Sequence, residues 1–298
     1  MEPWPPPHRC LGTAAPQPAP PADDAGPTPG TPAGARRLAI FLLRLKTGVV
    51  IDQAVEALAG RKQILVFTGA GISTESGIPD FRGPQGIWKQ FDPDDYTYDR
   101  YINDSDFREK SWEKQFRSPY LSASPNDAHH AVTRLWESGR LIGCVTQNID
   151  GLHAAAGLGP EALVELHGTA NQIHCISCGD RPEFDAIERR WESGEVDPAC
   201  LRCEGILKTT IVYFGEDLPL DATTRAWHMA EQADAVLVVG SSLGVYPAAF
   251  VPLDVVDRGN PMVIVNRGET DHDFRATVLV DGTAGEVLPE LVNRLVGS

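Results

Sequence analysis

Ile64-Leu65-Val66-Phe67-Thr68-Gly69-Ala70-Gly71-Ile72-Ser73-Thr74-Glu75-Ser76-Gly77 runs from unbroken apolar residues straight into a glycine turn. From Gln63 to Thr68 the segment reads as a buried strand, and Asp52 to Ala59 before it fits a helix. The two glycines let backbone approach a ligand, and a turn that follows a strand presents N–H groups to a phosphate. Thr74 stands where the GxGxxG fingerprint has its third glycine, which argues against an ordinary hydride-transferring dehydrogenase. A tight strand-to-helix turn without any ligand is the competing reading of this motif taken alone.

Outward from that turn the α/β pattern continues. Asn126 suits a helix cap, Ala128, Ala131, Val132, Leu135 and Trp136 fall at helical spacing, and Gly139 is the stop. Leu141 to Thr146 returns as a strand, and Ala235 to Val239 and Met262 to Val265 are short apolar runs of the kind covered on both faces by helices. Glu286, Val287, Leu288, Leu291, Val292 and Leu295 make an apolar stripe for a closing helix. The expected fold class is α/β, a Rossmann-like doubly wound parallel sheet with a small inserted module. The organisation expected is a Pro/Ala-rich disordered extension over 1–34, a large domain from 35–171 and 209–298, and a zinc-ribbon module over 172–208 within the small domain.

That module is marked by cysteine. Cys175-Ile-Ser-Cys178 and Cys200-Leu-Arg-Cys203 are two CxxC pairs separated by 21 residues, and they hold four of the chain's six cysteines. Two such knuckles supply four thiolates to one tetrahedral ion, and an all-sulfur set favours zinc or an iron centre, with zinc preferred here. Four protein ligands leave no position for water, so the ion is expected to be structural. A redox dithiol needs a thioredoxin-like setting that neither pair has. Cys144 lies within a strand pattern and reads as a small core residue, and Cys10 receives no role.

Composition narrows the partners. Acidic residues outnumber basic ones by 41 to 26, and a net charge of -15 repels a phosphate backbone, so nucleic acid is not expected as a partner. The run Leu38 to Leu43 is too short to span a bilayer and is followed by Arg44 and Lys46, so no membrane association is expected. The start shows neither an apolar signal core nor a basic amphipathic pattern, which points to a reducing cytoplasm, where clustered cysteines suggest metal.

Further motifs then appear in order. Gly77-Ile78-Pro79-Asp80-Phe81-Arg82-Gly83 continues the first loop, and Thr146-Gln147-Asn148-Ile149-Asp150-Gly151-Leu152-His153 begins where the next strand ends, the place where open α/β sheets bind ligands. His167-Gly168, Phe214-Gly215-Glu216, Gly240-Ser241-Ser242-Leu243 and Val265-Asn266 follow. Together these motifs resemble the sirtuin family over about Asp52 to Val296. The resemblance implies a cleft between a large domain and a zinc module that holds NAD and an acyl-lysine in an extended peptide. It implies NAD-dependent protein lysine deacetylation or deacylation: the acyl oxygen attacks the nicotinamide ribose carbon, nicotinamide leaves, and the acyl group passes to the ribose through an alkylimidate.

By motif match the resemblance assigns His167 as general base, with Asn148 beside it in the catalytic step. A histidine pKa near 6.5 suits removal of a ribose hydroxyl proton at neutral pH. Gly69, Ala70, Gly71 and Ser73 match the phosphate-contacting turn, while Phe81 and Arg82 match the loop that shields the reacting ribose, with Asp80 on the same cofactor side. Gln147 and Asn148 match residues facing the nicotinamide ribose; Ile149 and Asp150 match the pocket for its carboxamide, where an acceptor is required. Asn148 and Asp150 as mere helix caps are the bland alternative. Gly240, Ser241, Ser242 and Asn266 match the adenosine side. Val212, Phe214, Gly215 and Glu216 match one wall of the acyl-lysine tunnel, and Val245 and Tyr246 the other, although Val212 and Phe214 also read as core.

Sirtuins that prefer acidic acyl groups carry a Tyr and an Arg three apart, where this chain reads Ser111-Trp112-Glu113-Lys114-Gln115, so an uncharged acyl group, acetyl first, is expected. Arg108 and Arg117 are the substitutes to watch. Two other functions stay open: mono-ADP-ribosyl transfer to protein, and a non-catalytic sensor of NAD or acyl-lysine.

Overall fold

The computed structural model describes residues 49–81, 86, 96–118 and 122–297. All of them belong to the compact unit that begins at Leu43; the unit Met1–Leu42 lies outside the described residues, and with it the 1–34 extension, Cys10 and most of the Leu38–Leu43 run. Arg82 also lies outside them.

Eight strands are described. β1 (Ile64–Thr68), β2 (Leu141–Thr146), β3 (Leu163–Glu165), β6 (Ala235–Val239), β7 (Met262–Asn266) and β8 (Val278–Asp281) form one sheet in the order β3-β2-β1-β6-β7-β8. Every pairing in it is parallel. β4 (Ile173–Cys175) and β5 (Leu207–Thr209) form a separate antiparallel pair beside the cysteines. The doubly wound reading of the sequence therefore holds, with boundaries within a residue at β1 and β7.

The continuous apolar runs are explained by burial on both faces. Ile64 and Val66 of β1 point into a cluster with Leu58, Val132, Leu135, Leu288 and Leu291, under helices over 49–58, Asp127–Glu137 and Ala284–Val296. Leu65 and Phe67 point the other way, against Ala226, Met229, Val251 and Val255 of helices Leu220–Gln232 and Phe250–Asp257. At about 25 cal/mol per Å² of apolar surface, this two-sided burial is the main term favouring the fold.

Local signals fix the helix that matters most for the site. Asn126 Oδ1 accepts from the backbone N–H groups of Ala128 and His129, and the Asn126 N–H donates back to His129 Nδ1 at 3.2 Å. That is a reciprocal capping box, with histidine in the place usual for Glu or Gln. Gly139, at φ +73°, ends the region as the sequence indicated.

The chain reverses its winding between β1 and β6, and there the loops after the two strands touch. Gly69 N–H donates to the Val239 carbonyl at 3.1 Å and Gly71 N–H to the Gly240 carbonyl at 2.8 Å. A Cβ on Gly240, which sits at φ +61°, would stand 2.3 Å from Ile72 N. Gly240→Ala is therefore expected to destabilise the protein by about 2 kcal/mol or more, from left-handed strain and backbone overlap together. A thermal melt with an unchanged midpoint would contradict this.

Candidate active site

The switch point brings together Gly69, Gly71, Ser73, Gln147, Asn148, Asp150, Gly240 and Ser241 of the residues singled out above. Ser73, fully buried after the first turn, donates its hydroxyl proton to Asp150 Oδ2 at 2.7 Å and accepts from Asn148 Nδ2 at 3.1 Å. His129 Nδ1 faces Asn126, 3.2 Å from its backbone N and 3.1 Å from its Oδ1, and Nε2 faces Ser73 Oγ at 3.4 Å. Asn148 Nδ2 also donates to the Gly69 carbonyl at 3.2 Å, tying the end of β2 to the glycine turn. Asp150 Oδ1 caps the short helix Leu152–Ala155 through the Leu152 N–H at 2.9 Å, so capping is one of its roles. Burial raises the Asp150 pKa, against the hydrogen bonds from Leu152 and Ser73.

Beneath this cluster, Thr68 Oγ1 donates to Thr146 Oγ1 at 2.8 Å and stands 3.0 Å from His153 Nε2. Thr146 Oγ1 in turn accepts the Asn148 N–H at 3.0 Å. His129 and His153 pack edge to face with ring centres 5.0 Å apart. Desolvation brings His129 down to about 4 and His153 to about 3, so both are neutral at pH 7. Cys144 is fully buried, and burial pushes its thiol up to about 12, which fits an inert core residue.

His167 stands on the loop after β3. Its Nδ1 lies 3.0 Å from the Gln147 carbonyl, an acceptor only, so Nδ1 carries the proton and Nε2 is left with its lone pair. Desolvation lowers the His167 pKa, opposed by the Gln147 bond. The residue after it must be glycine: at φ +71°, a Cβ on Gly168 would lie 1.9 Å from the Thr210 carbonyl oxygen.

On the other side of the switch point Ser241 Oγ accepts from Gln147 Nε2 at 2.8 Å and from the Leu243 N–H at 3.2 Å. Asn266 Nδ2 donates to the Gly268 carbonyl at 3.1 Å. Phe81 is partly exposed at the end of the first loop. Gly69 and Gly71 are crowded by Gly240 rather than by open space, so the first demand on them is loop packing. Phe214 N–H and C=O both pair with the segment 96–98, while Val212 N–H goes to the His167 carbonyl. Glu216 turns its carboxylate inward to Lys208 and the Tyr213 N–H. Tyr246 is half exposed and reaches His272 Nε2 at 2.7 Å.

Two residues of the cluster escaped the sequence reading. His129 is disclosed only by its place three residues after the Asn126 cap. Glu165, two residues before His167 on β3, has its carboxyl pushed up to about 7 by burial and by Asp150 nearby.

The four cysteines converge as their spacing required. Their sulfurs all lie within 4.8 Å of one another, with Cys175 and Cys203 at 3.5 Å and Cys178 and Cys200 at 3.8 Å. Sulfurs around a tetrahedral ion with bonds of about 2.3 Å stand about 3.8 Å apart, whereas a disulfide needs about 2.05 Å. Burial raises the Cys175 thiol, but N–H groups of Cys178 and Ser177 outweigh it and bring it down to about 7. The donor set fits zinc, and these four cysteines are the residues that would hold it. Trp112, Ile173, Ile187 and Leu207 close a small core beneath it, with Phe116 and Trp191 at its edge.

A parallel sheet reversing at Gly240, an imidazole held by a strand-end carbonyl and a cluster of four cysteines define the class, and the chain belongs to the Sir2 family, whose model matches residues 69–247. It is 39% identical over 249 residues, covering 83% of this chain and 95% of the relative, to NAD-dependent protein deacetylase 1 of Pyrobaculum aerophilum. It is 42% identical, covering 82% and 93%, to the NAD-dependent protein deacetylase of Caldivirga maquilingensis. A solved Sir2 complex with p53 peptide and NAD+ superposes with a TM-score of 0.72 at 34% identity, covering 82% of this chain and 97% of that one.

Two measurements check the site. Elemental analysis should find one zinc per chain, and chelation should unfold the module around Trp112 and Trp191, since structural zinc supplies folding free energy; unchanged folding after verified zinc removal would contradict this. Because the folded pKa of His167 lies below 6.5, its neutral form survives to lower pH, so the acid limb of kcat/KM should fall below 6.5. The same depression withdraws stability as pH falls below 6.5, where the unfolded chain takes the proton first. An acid limb at or above 6.5 would refute the assignment of this limb to His167.

Proposed function

We propose that this chain is an NAD-dependent protein lysine deacylase, acting on acylated lysine peptides and releasing nicotinamide. The observation that carries the reading is the His167 to Gln147 bond, which leaves Nε2 as a proton acceptor on a part-buried ring at the ends of the strands. NAD, when bound, supplies the electrophilic ribose carbon and the acceptor for the acyl group. His167 takes the proton from a ribose hydroxyl. Asn148, with its amide N–H groups spent on Gly69 and Ser73, keeps Oδ1 as an acceptor toward the reacting ribose. Asp150, held by Ser73 and Leu152, accepts from the nicotinamide carboxamide, next to Ile149. The glycine turn with Ala70, Asp80, Phe81 and Arg82 serves the phosphates and ribose, and Gly240, Ser241, Ser242 and Asn266 serve the adenosine side.

The acyl-lysine lies between Val212, Phe214, Gly215 and Glu216 on one wall and Val245 and Tyr246 on the other. Paired backbones there give affinity with little readout of sequence. Neither of the two arginines nearest that position, Arg108 and Arg117, offers a free fork to an acidic acyl group. Arg108 donates to Asp197 at 2.9 Å and to the carbonyls of Tyr101 and Ile102, and Arg117 pairs with Glu113 at 2.6 Å. An uncharged acyl group is therefore favoured. Among the described residues no helix is long and apolar enough to cross a membrane. A thiolate-bound metal suits a reducing cytoplasm, and the acidic surface suits neither nucleic acid nor anionic membrane.

Nicotinamide release should require both NAD and an acetyl-lysine peptide, and His167→Ala should reduce it by about 10²-fold or more. Release without peptide would favour ADP-ribosyl transfer, and NAD binding without any release would favour a sensor. A succinyl peptide turned over as well as the acetyl one would refute the acyl preference.

A further inference from the structure

Lys208 has no exposed surface, and nothing in the catalytic reading uses it. It lies on β5 opposite His174, next to Leu207, whose register partner is the metal ligand Cys175. Its Nζ is 3.1 Å from the Thr209 carbonyl oxygen, 2.5 Å from that of Ile211 and 3.1 Å from Glu216 Oε2. It stands 5.2 Å from the centre of the Tyr213 ring. An ammonium has three N–H donors, so this set spends them all. Glu216 closes the arrangement by accepting the Tyr213 N–H at 2.9 Å on the same oxygen.

The residues that follow Lys208 are thus wrapped around its own charge. A buried ammonium is costly unless fully paired, and burial does push this one below the usual lysine range while Glu216 holds it up. An aliphatic side chain would fill the same volume without that cost, so the charge has to be explained by what it holds. It holds 211–216, the segment assigned above to one wall of the acyl-lysine tunnel. Upstream that wall is tied by Val212 to His167 and by Phe214 to the segment 96–98. At its far end, Gly215 sits at φ +79° with no hydrogen bond among the described residues, so the turn there is set by Glu216 and, through it, by Lys208.

We propose that Lys208 is a positioning residue for the protein substrate, its ammonium fixing the 211–216 wall through Ile211 and Glu216 in the form that pairs with an acyl-lysine peptide. The proposal rests on the assignment of that segment to the acyl-lysine. It also gives the metal centre a route to the substrate: the knuckle fixes β4, β4 fixes β5, and β5 carries Lys208. The step affected is peptide binding, with NAD binding and chemistry left to the switch point.

The test is steady-state kinetics on zinc-loaded full-length protein with an acetyl-lysine peptide. Lys208→Met should raise the peptide KM by about tenfold, change kcat and the NAD KM by less than about twofold, and retain its zinc. Lys208→Arg should bring the peptide KM back to within about threefold of the parent. A folded, zinc-loaded Lys208→Met protein with the parent's peptide KM overturns the proposal, as does a loss confined to kcat or an Arg variant as weak as the Met variant. Should Lys208→Met not fold, Lys208→Gln carries the test: the same rise is expected, and an unchanged peptide KM overturns the proposal. Failure of the deacylase reading is distinguishable, because the parent protein itself would then show no peptide-dependent nicotinamide release.

Discussion

Two loops leave the sheet in opposite directions after β1 and β6, and their backbones meet at Gly240 with no room for a side chain on either side. A Cβ on Gly69 would come within 2.8 Å of the Gly240 carbonyl oxygen, and one on Gly71 within 2.7 Å of Gly240 Cα. Bare backbone lets β1 and β6 remain neighbours up to their last residues while the winding reverses. The crevice that opens there is where an open parallel sheet offers strand ends and N–H groups to a ligand. Ser73, Asn148, Gln147 and Ser241 are all placed relative to that contact.

Around the crevice the chain buries an unusual run of polar side chains, among them Thr68, Ser73, His129, Thr146, Asn148, His153 and Ser241. Each unpaired group of this kind costs about 1–3 kcal/mol, so the network has to be nearly complete to be tolerated. It is: the Ser73 hydroxyl donates once and stands within reach of Asn148 Nδ2 and His129 Nε2, and the Thr146 hydroxyl accepts from Thr68 and from backbone. His153 Nδ1 is the exception, buried without a partner. The consequence is rigidity, with the carboxylate of Asp150 and the amide of Asn148 both oriented before any ligand arrives.

The metal module works at a different scale. Its core is small, Trp112 and a few aliphatic side chains, and helix Ser105–Phe116 reaches in from outside the cysteine segment to complete it. Four thiolates around one ion would replace the hydrophobic area that so short a segment cannot bury. Through β5 and Lys208 this module is tied to the segment 211–216, by bonds to Ile211 and Glu216.

Continuous apolar runs made the parallel sheet legible in the sequence, because strands buried on both faces cannot alternate, and the two CxxC pairs made the metal centre legible, because ligand spacing is local. Ordered motifs at strand ends marked residues that the fold brings together at the switch point, Ser73, Asn148 and Asp150 among them. Short edge strands, Leu163–Glu165 and Val278–Asp281, left too little pattern to be read. Three things required the tertiary structure: the tautomer of His167, the pairing of Glu216 with the buried Lys208, and the gathering of His129 and Glu165 near Asp150. Each depends on groups far apart in the chain meeting in a low-dielectric interior, where a carbonyl or a carboxylate a few ångströms away decides which atom carries a proton and which side chain is free to act.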